Sequence, residues 1–383
     1  MRHVTPDRVP VMCQLALGHY FLHAGQTPSD VWFDSETFVR VLAEFQQRYG
    51  FDGFLINLPG RPPDWRCYLA DRAKTAEGER LTWQSGLVTE VPPDNNPHTF
   101  TADRGPLPRA DYNALNPDDS ALLRLAGYVW NTWHAPSLWD IPPTADLADP
   151  NQYPDWFTLG LRITRSACPD ASVHAEVFSP FTHLMELFGY QNGLMALIDV
   201  PEMCHRLLSR FSAMVVAQVR CWWPAAPDAI LISSAFAGGG FISRTMYREF
   251  VVPYERQVVG AIREFGLPSY VHTCGAIGDR LDLMAETEVD GIDTLDPPPL
   301  GTVDLARAKA EFGRRFFFKG NLDAVNEMLR ADDATFERAV RQRLEIGMPG
   351  SGYILSSACS VAPHVRPDRL CRMVELAERY GRY

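Results

Sequence analysis

The stretch SYVHTCGAIGD, Ser269 to Asp279, begins as a short β-rich run and breaks off at glycine. Tyr, Val and Thr favour an extended backbone, and Gly275 marks where the run stops. The same design recurs along the chain. Comparable runs fall at 9–14 (VPVMCQ), 51–57 (FDGFLIN), 172–178 (SVHAEVF), 229–235 (AILISSA), 268–274 (PSYVHTC), 291–295 (GIDTL), 315–320 (RFFFKG) and 353–359 (YILSSAC). Between them lie segments of helical periodicity, such as DSETFVRVLAEFQQRYG (34–50) and SRTMYREFVVPYERQVVGAIREFG (243–266). Aspartate or serine stands at their starts and glycine at their ends, where helix caps belong. Eight strands alternating with helices predict an α/β chain with a parallel sheet, and the number eight predicts closure as a (β/α)8 TIM barrel. An open doubly wound sheet is the alternative. No GxGxxG follows the first run, so the dinucleotide-binding version of that sheet has no support.

One region breaks the rhythm. Residues 58–156 hold many prolines, several tryptophans and the polar stretch TEVPPDNNPHTFTADRGPLP. A structureless loop of that length is foreign to a compact domain. The expectation is an insertion after the second strand, built of a hairpin and short helices and folded over one end of the barrel. No repeat, low-complexity tract or Gly/Ser linker marks a second unit, so 1–383 reads as one domain.

Bulk properties narrow the function classes. The chain has 383 residues, 46% hydrophobic and 22% charged, enough to bury a substantial core. A net charge of −11 argues against a nucleic-acid or anionic-membrane binder, because both call for a basic surface. No apolar run reaches the length of a membrane helix, and MRHVTPDRVPVMCQ does not read as a signal peptide. The eight cysteines are scattered at 13, 67, 168, 204, 221, 274, 359 and 371, which suits reduced thiols in a cytoplasmic protein.

Two of those cysteines have chemical company. Residues two apart in a strand share a side, so His272 and Cys274 aim at one point at the end of the fifth run. That point lies at the barrel's C-terminal mouth, where active sites of this fold sit. The eighth run ends Ser357-Ala358-Cys359-Ser360 and brings Cys359 to the same mouth, although strands five and eight are not neighbours. A His–Cys–Cys set suits zinc, and three protein ligands leave a fourth position open, the pattern of a catalytic site. Each of the three also has a plain reading as a buried residue of the core, free cysteine being among the most buried types. Glu176, on the polar face of SVHAEVF with Ser172 and His174, reads as a fourth ligand, a proton acceptor or a hydrogen-bonded interior carboxyl. Gly239, in the AGGG loop after the fourth run, permits close backbone approach to a ligand, or is simply a flexible turn. Asn321, after the seventh run, reads as a donor to substrate or as the cap of a following helix. His174, His183 and His364 read as supporting groups or structural histidines. The tryptophans of WNTWHAP (130–136) read as a lid, or as packing for the insertion.

The chain resembles the uroporphyrinogen decarboxylase superfamily, and within it the zinc-dependent corrinoid:thiol methyltransferases, such as those acting on methylcobamide and coenzyme M. The resemblance rests on DRVPV near the start, SPFTHLMELFGYQNGLMALIDVPEMCHRLL (179–208), FISRTMYREFVVPYERQVV (241–259), VHTCG, KGNLDAV (319–325) and the ending ILSSACSVAPHVRPDRLCRMVELAERYG. It implies a (β/α)8 barrel. It implies zinc on His272, Cys274 and Cys359, a small-molecule thiol activated as zinc-thiolate, and methyl-cobalamin as methyl donor. No DxHxxG corrinoid-binding segment is present, so the corrinoid would arrive on a separate protein or free. A monomer or homodimer is the simplest assembly. The chain departs from the decarboxylase branch at VPVMCQLALGH, which lacks the paired arginines that grip porphyrinogen carboxylates. The rival expectations are a metal-independent decarboxylase of that superfamily and a non-catalytic barrel that binds a corrinoid or tetrapyrrole.

Overall fold

The helix Ser35–Tyr49 shows how local chemistry builds the frame. Asp34 accepts a hydrogen bond from the Thr37 N–H at its start, Gly50 closes it at φ 74°, and Phe38, Val41, Leu42 and Phe45 face inward. The second periodic segment, expected as one helix over 243–266, forms two: Arg244–Phe250 and Val252–Glu264. Pro253 lacks an N–H and crowds the preceding turn, which explains the break at Val251.

The computed structural model describes residues 1–57, 60–119, 122–123 and 146–383. Among these, seven parallel strands form one sheet: β1 (Gly53–Ile56), β6 (Ser172–Phe178), β7 (Ala229–Ser233), β8 (Ser269–His272), β9 (Gly291–Asp293), β10 (Phe317–Leu322) and β11 (Tyr353–Ser357), in that spatial order. The remaining strands, β2 (Leu69–Thr75), β3 (Gly78–Trp83), β4 (Val88–Val91) and β5 (His98–Phe100), make a separate antiparallel sheet in chain order.

The first run, expected as an eighth strand over 9–14, is a correction. It makes one parallel bridge, Val11 with Leu355. Pro10 has no N–H to give, the Val11 N–H goes to the Asp52 carboxylate at 2.7 Å, and the Val9 N–H goes to Gly381. A regular ladder has too few donors left. The segment still reaches both edges of the sheet: Met12 N–H donates to the Leu355 carbonyl of β11, Leu355 N–H donates to the Pro10 carbonyl, and Asp52 N–H, just before β1, donates to the Val11 carbonyl.

Packing separates an inside from an outside. Met12, Leu55, Leu231, Tyr270, Phe317 and Ile354 form one buried cluster on the concave side. Val173, Ala175, Val177, Ile230, Ile232, Val271, Ile292 and Phe318 belong to the larger core shared with the helices. The alternation expected for SVHAEVF therefore holds: its apolar residues face the helices, while His174 faces inward to Tyr270, 2.7 Å from its hydroxyl.

Between β1 and β6 the chain makes four strands where a hairpin was expected. Their sheet is anchored to the N-terminal helices: Trp65 and Trp83 pack on Phe33, and Glu79 accepts from the Ser29 N–H at 2.9 Å. Asp94 meets His364, in the loop after β11, at 3.1 Å, which places this sheet on the side of the parallel sheet where the Cys359 loop lies. The tryptophans at 130 and 133 lie outside the described residues. No described helix is long and apolar enough to cross a membrane.

Candidate metal centre

Strand β8 ends at His272, so Cys274 sits beyond the strand, not two residues along it as expected. Its loop is held from both sides. The Thr273 N–H reaches Thr294 Oγ1, whose hydroxyl donates back to the Thr273 carbonyl at 2.8 Å, and the Gly275 N–H donates to Asp296 at 2.7 Å. On the other flank Gly238 lies so near that a Cβ there would come within 2.6 Å of the Cys274 carbonyl oxygen. Cys359 lies two residues past β11, in a loop tied down by Ala358 N–H to Leu322 and Val361 N–H to Gln14. Loop ends, not neighbouring strands, bring the two sulfurs together.

His272, Cys274 and Cys359 place ligand atoms within 4.8 Å of one another. His272 Nε2 is 3.5 Å from Cys274 Sγ, and the two sulfurs are 3.9 Å apart. Tetrahedral zinc, with bonds of about 2.3 Å to sulfur and about 2.0 Å to nitrogen, sets its ligands roughly 3.5–3.8 Å apart. The donor set and its spacing fit that ion. Among the described residues no fourth His, Cys, Asp or Glu joins this cluster.

The charges agree with a site built for a cation. Cys274 pushes its thiol proton toward Cys359, which is held well below the usual thiol range despite burial; His272 beside it adds to the effect. Cys274 itself is raised, by Cys359 and then by burial. Burial opposes a charge on His272, but Asp293 and Cys359 outweigh it and raise its pKa to about 10. Anionic sulfur beside a cationic ring is the metal-free version of sulfur beside a metal.

Behind His272 stands a buried chain that sequence reasoning missed. Asp293 takes His272 Nδ1 at 3.0 Å with one oxygen and Lys319 Nζ at 2.9 Å with the other. Burial works to raise the Asp293 carboxyl, yet Lys319 and His272 hold it at about 2. A charged aspartate and lysine at adjacent barrel strands were the available signal; RFFFKG and GIDTL read only as strands.

The other predicted residues fall as follows. Glu176 is buried on the interior face of β6, outside the three-residue cluster, and burial raises its pKa to about 8 against the opposing pull of His272 and Ser233. Below that pH it already carries its proton, so it can donate a hydrogen bond but cannot serve as the proton acceptor the sequence suggested. Gly239 is exposed, and its N–H is occupied by the Ala276 carbonyl at 2.7 Å, so its loop packs against the Cys274 loop. Asn321 is fully engaged: it donates to the Leu295 carbonyl at 2.9 Å and accepts from Arg343 at 3.2 Å. It caps nothing; Asp323 does that, accepting from the Val325 and Asn326 N–H groups. His174 is a satisfied interior histidine between Ser172 and Tyr270, and His183 stacks on Phe211 at 5.5 Å.

Relatives share this frame. The model of the family described as uroporphyrinogen decarboxylase (URO-D) matches residues 141–380, a span that contains Glu176 and all three cluster residues. The chain is 28% identical to a uroporphyrinogen decarboxylase of Tolumonas auensis over 187 residues, covering 47% of this chain and 49% of that one. It is 32% identical to a uroporphyrinogen decarboxylase of Cellvibrio japonicus over 181 residues, covering 45% and 47%. The chain thus spans about half the length of the curated relatives it matches. In fold it is similar to a methyltransferase from Methanosarcina mazei, with a TM-score of 0.68, 13% identity and coverage of 99% of this chain and 96% of that one. With more than half its length matched by the family model, the chain belongs to the uroporphyrinogen decarboxylase family.

Proposed function

We propose that the protein is a zinc-dependent methyltransferase that moves a methyl group from a methylated corrinoid, free or on a partner protein, to a small thiol. The observation that carries this reading is the His272–Cys274–Cys359 cluster, two soft sulfurs and an imidazole nitrogen within 4.8 Å of one another and no fourth ligand among the described residues. A bound zinc would supply a thiophilic Lewis acid with room for one added sulfur. The two cysteinates would cancel the dication's charge, so an added thiolate stays electron-rich and nucleophilic. His272 would hold such an ion through Nε2, because Asp293 occupies the opposite ring nitrogen. The loops from β8 and β11, which carry the cluster, and the β7 loop packed against the β8 loop would orient a thiol for attack. In the transfer the sulfur–carbon bond forms as the carbon–cobalt bond breaks; the bonding pair stays with cobalt, and the thiol's proton passes to solvent. Glu176 faces the same interior and, neutral below about 8, offers a hydrogen bond there.

The rival reading, a metal-independent decarboxylase acting on a carboxylated ring, draws on the names of the relatives. It leaves the paired thiols without a task. One assay separates the two. Protein purified without added metal is analysed for zinc and then mixed with methyl-cobalamin and a panel of thiols while the visible spectrum is followed. About one zinc per chain and thiol-dependent loss of the methyl-cobalamin spectrum support the proposal. A metal-free chain that decarboxylates porphyrinogens contradicts it, and zinc without methyl consumption favours a binding barrel.

A further inference from the structure

Strands β8, β9 and β10 are consecutive in the sheet, and His272 is paired in register with Asp293. Phe318 pairs with Ile292 on the next strand, so Lys319 follows beside Asp293. The three side chains make a single interior row that runs ammonium, carboxylate, imidazole and then the sulfurs. Every member is buried: Lys319 is 3% exposed, Asp293 2% and His272 7%. A buried ion pair of this kind does little for stability, since desolvation offsets most of its attraction. Its place in the fold calls for another account.

We infer that Asp293 and Lys319 are positioning residues for the metal centre: together they fix the ring of His272 so that Nε2 points at the sulfurs. This rests on the zinc reading above. An imidazole has two ring nitrogens and a free axis of rotation, and a metal site fails if the wrong nitrogen carries the proton. Asp293 Oδ2 at 3.0 Å from Nδ1 holds a proton there, so that Nε2 is the nitrogen a metal would take. A carboxylate anchored only by that ring could swing with it. Lys319 Nζ, at 2.9 Å from Oδ1, pins the second oxygen and so fixes the plane of the carboxylate. Lys319 therefore acts on the metal from two residues away and touches neither sulfur.

The test compares wild type with Asp293→Ala, Asp293→Asn, Lys319→Met and Lys319→Arg. Zinc affinity is measured by competition with a chromophoric chelator, and the absorption of cobalt(II) in place of zinc reports ligand geometry. Circular dichroism and thermal unfolding check folding. Asp293→Ala is expected to weaken zinc binding about 10- to 100-fold and to change the cobalt spectrum. Asp293→Asn keeps an acceptor for Nδ1–H and is expected to fall between Ala and wild type. Lys319→Met is expected to weaken binding several-fold, with Lys319→Arg restoring part of the loss. If Asp293→Ala does not fold, Asp293→Asn and the Lys319 pair decide the matter. Folded variants that all bind zinc within twofold of wild type, with an unchanged cobalt spectrum, overturn the inference and leave the zinc reading intact. A wild-type chain that binds no zinc overturns both.

Discussion

At the scale of single residues, the account stands on two sulfurs and a ring nitrogen. Cys274→Ser and Cys359→Ser each remove a soft anionic ligand and put a hard, neutral hydroxyl in its place. Each is expected to lose bound zinc and to lower methyl-transfer activity at least about 100-fold, read by metal analysis and the methyl-cobalamin assay on the same preparation. Cys371→Ser, in the final helix and far from the cluster, is the control that should change neither. His272, Cys274 and Cys359 were legible in the sequence because their residue types are chemically unusual at strand ends. The reason given for their meeting was only half right. Cys274 is carried by a loop, and its inward aim depends on Thr294, Asp296 and Gly238, whose roles arise from contacts that no local pattern encodes. The cap reading of Asn321 failed for the complementary reason: its amide answers to Arg343, 22 residues away, and to Leu295.

Elements position these side chains, and two elements make predictions of their own. The loop after β7 packs on the loop after β8, with Gly239 N–H on Ala276 and Arg280 donating to the Ala237 and Ile242 carbonyls. Adding a methyl group in Gly238→Ala would press on the Cys274 carbonyl. The expected outcome is weaker zinc binding, about tenfold by chelator competition, with thermal stability reduced by about 1–3 kcal/mol. The helix Val252–Glu264 holds Glu255 fully buried, and among the described residues its carboxylate oxygens and the enclosed Tyr247 hydroxyl have no hydrogen-bond partner of ordinary geometry. Burial raises the Glu255 pKa to about 7, and the Ser234 hydroxyl pulls it down too weakly to offset this. A folded-state pKa above the unfolded one gives stability that is complete below about 4.5 and lost as pH rises through about 7. Glu255→Gln should therefore flatten the fall in stability over that window and stabilise the protein above it, by up to about 3 kcal/mol. Urea unfolding of both forms at pH 5 and pH 8 measures the difference. Elements were the most legible level: seven of eight predicted strands are present because β-rich runs ended by glycine or proline are a local signal. The first run was misread because Pro10 and Asp52 withdraw its main-chain donors, an effect visible only once Asp52 is placed beside it.

For the whole molecule, the centre draws on segments at 272–274 and 359, and the latter's loop is tied to residues 14–15. Metal binding should consequently couple to global stability. Zinc at about 100 times its dissociation constant is expected to add about 2.7 kcal/mol, seen as a rise in Tm that chelator reverses and that Cys359→Ser abolishes. The parallel α/β sheet could be read from the alternation of strands and helices, while the antiparallel sheet at 69–100 could not, since its strands are short and its sequence is rich in polar turn residues. The central claim is that three distant side chains hold one zinc ion and leave a place for a substrate's sulfur. Zinc-edge X-ray absorption of the purified chain, recorded before and after a thiol is added, tests it most directly. The account predicts two sulfurs near about 2.3 Å and one nitrogen near about 2.0 Å, rising to three sulfurs with thiol. A zinc-free protein, or a sulfur count that stays at two or already stands at four, would contradict it.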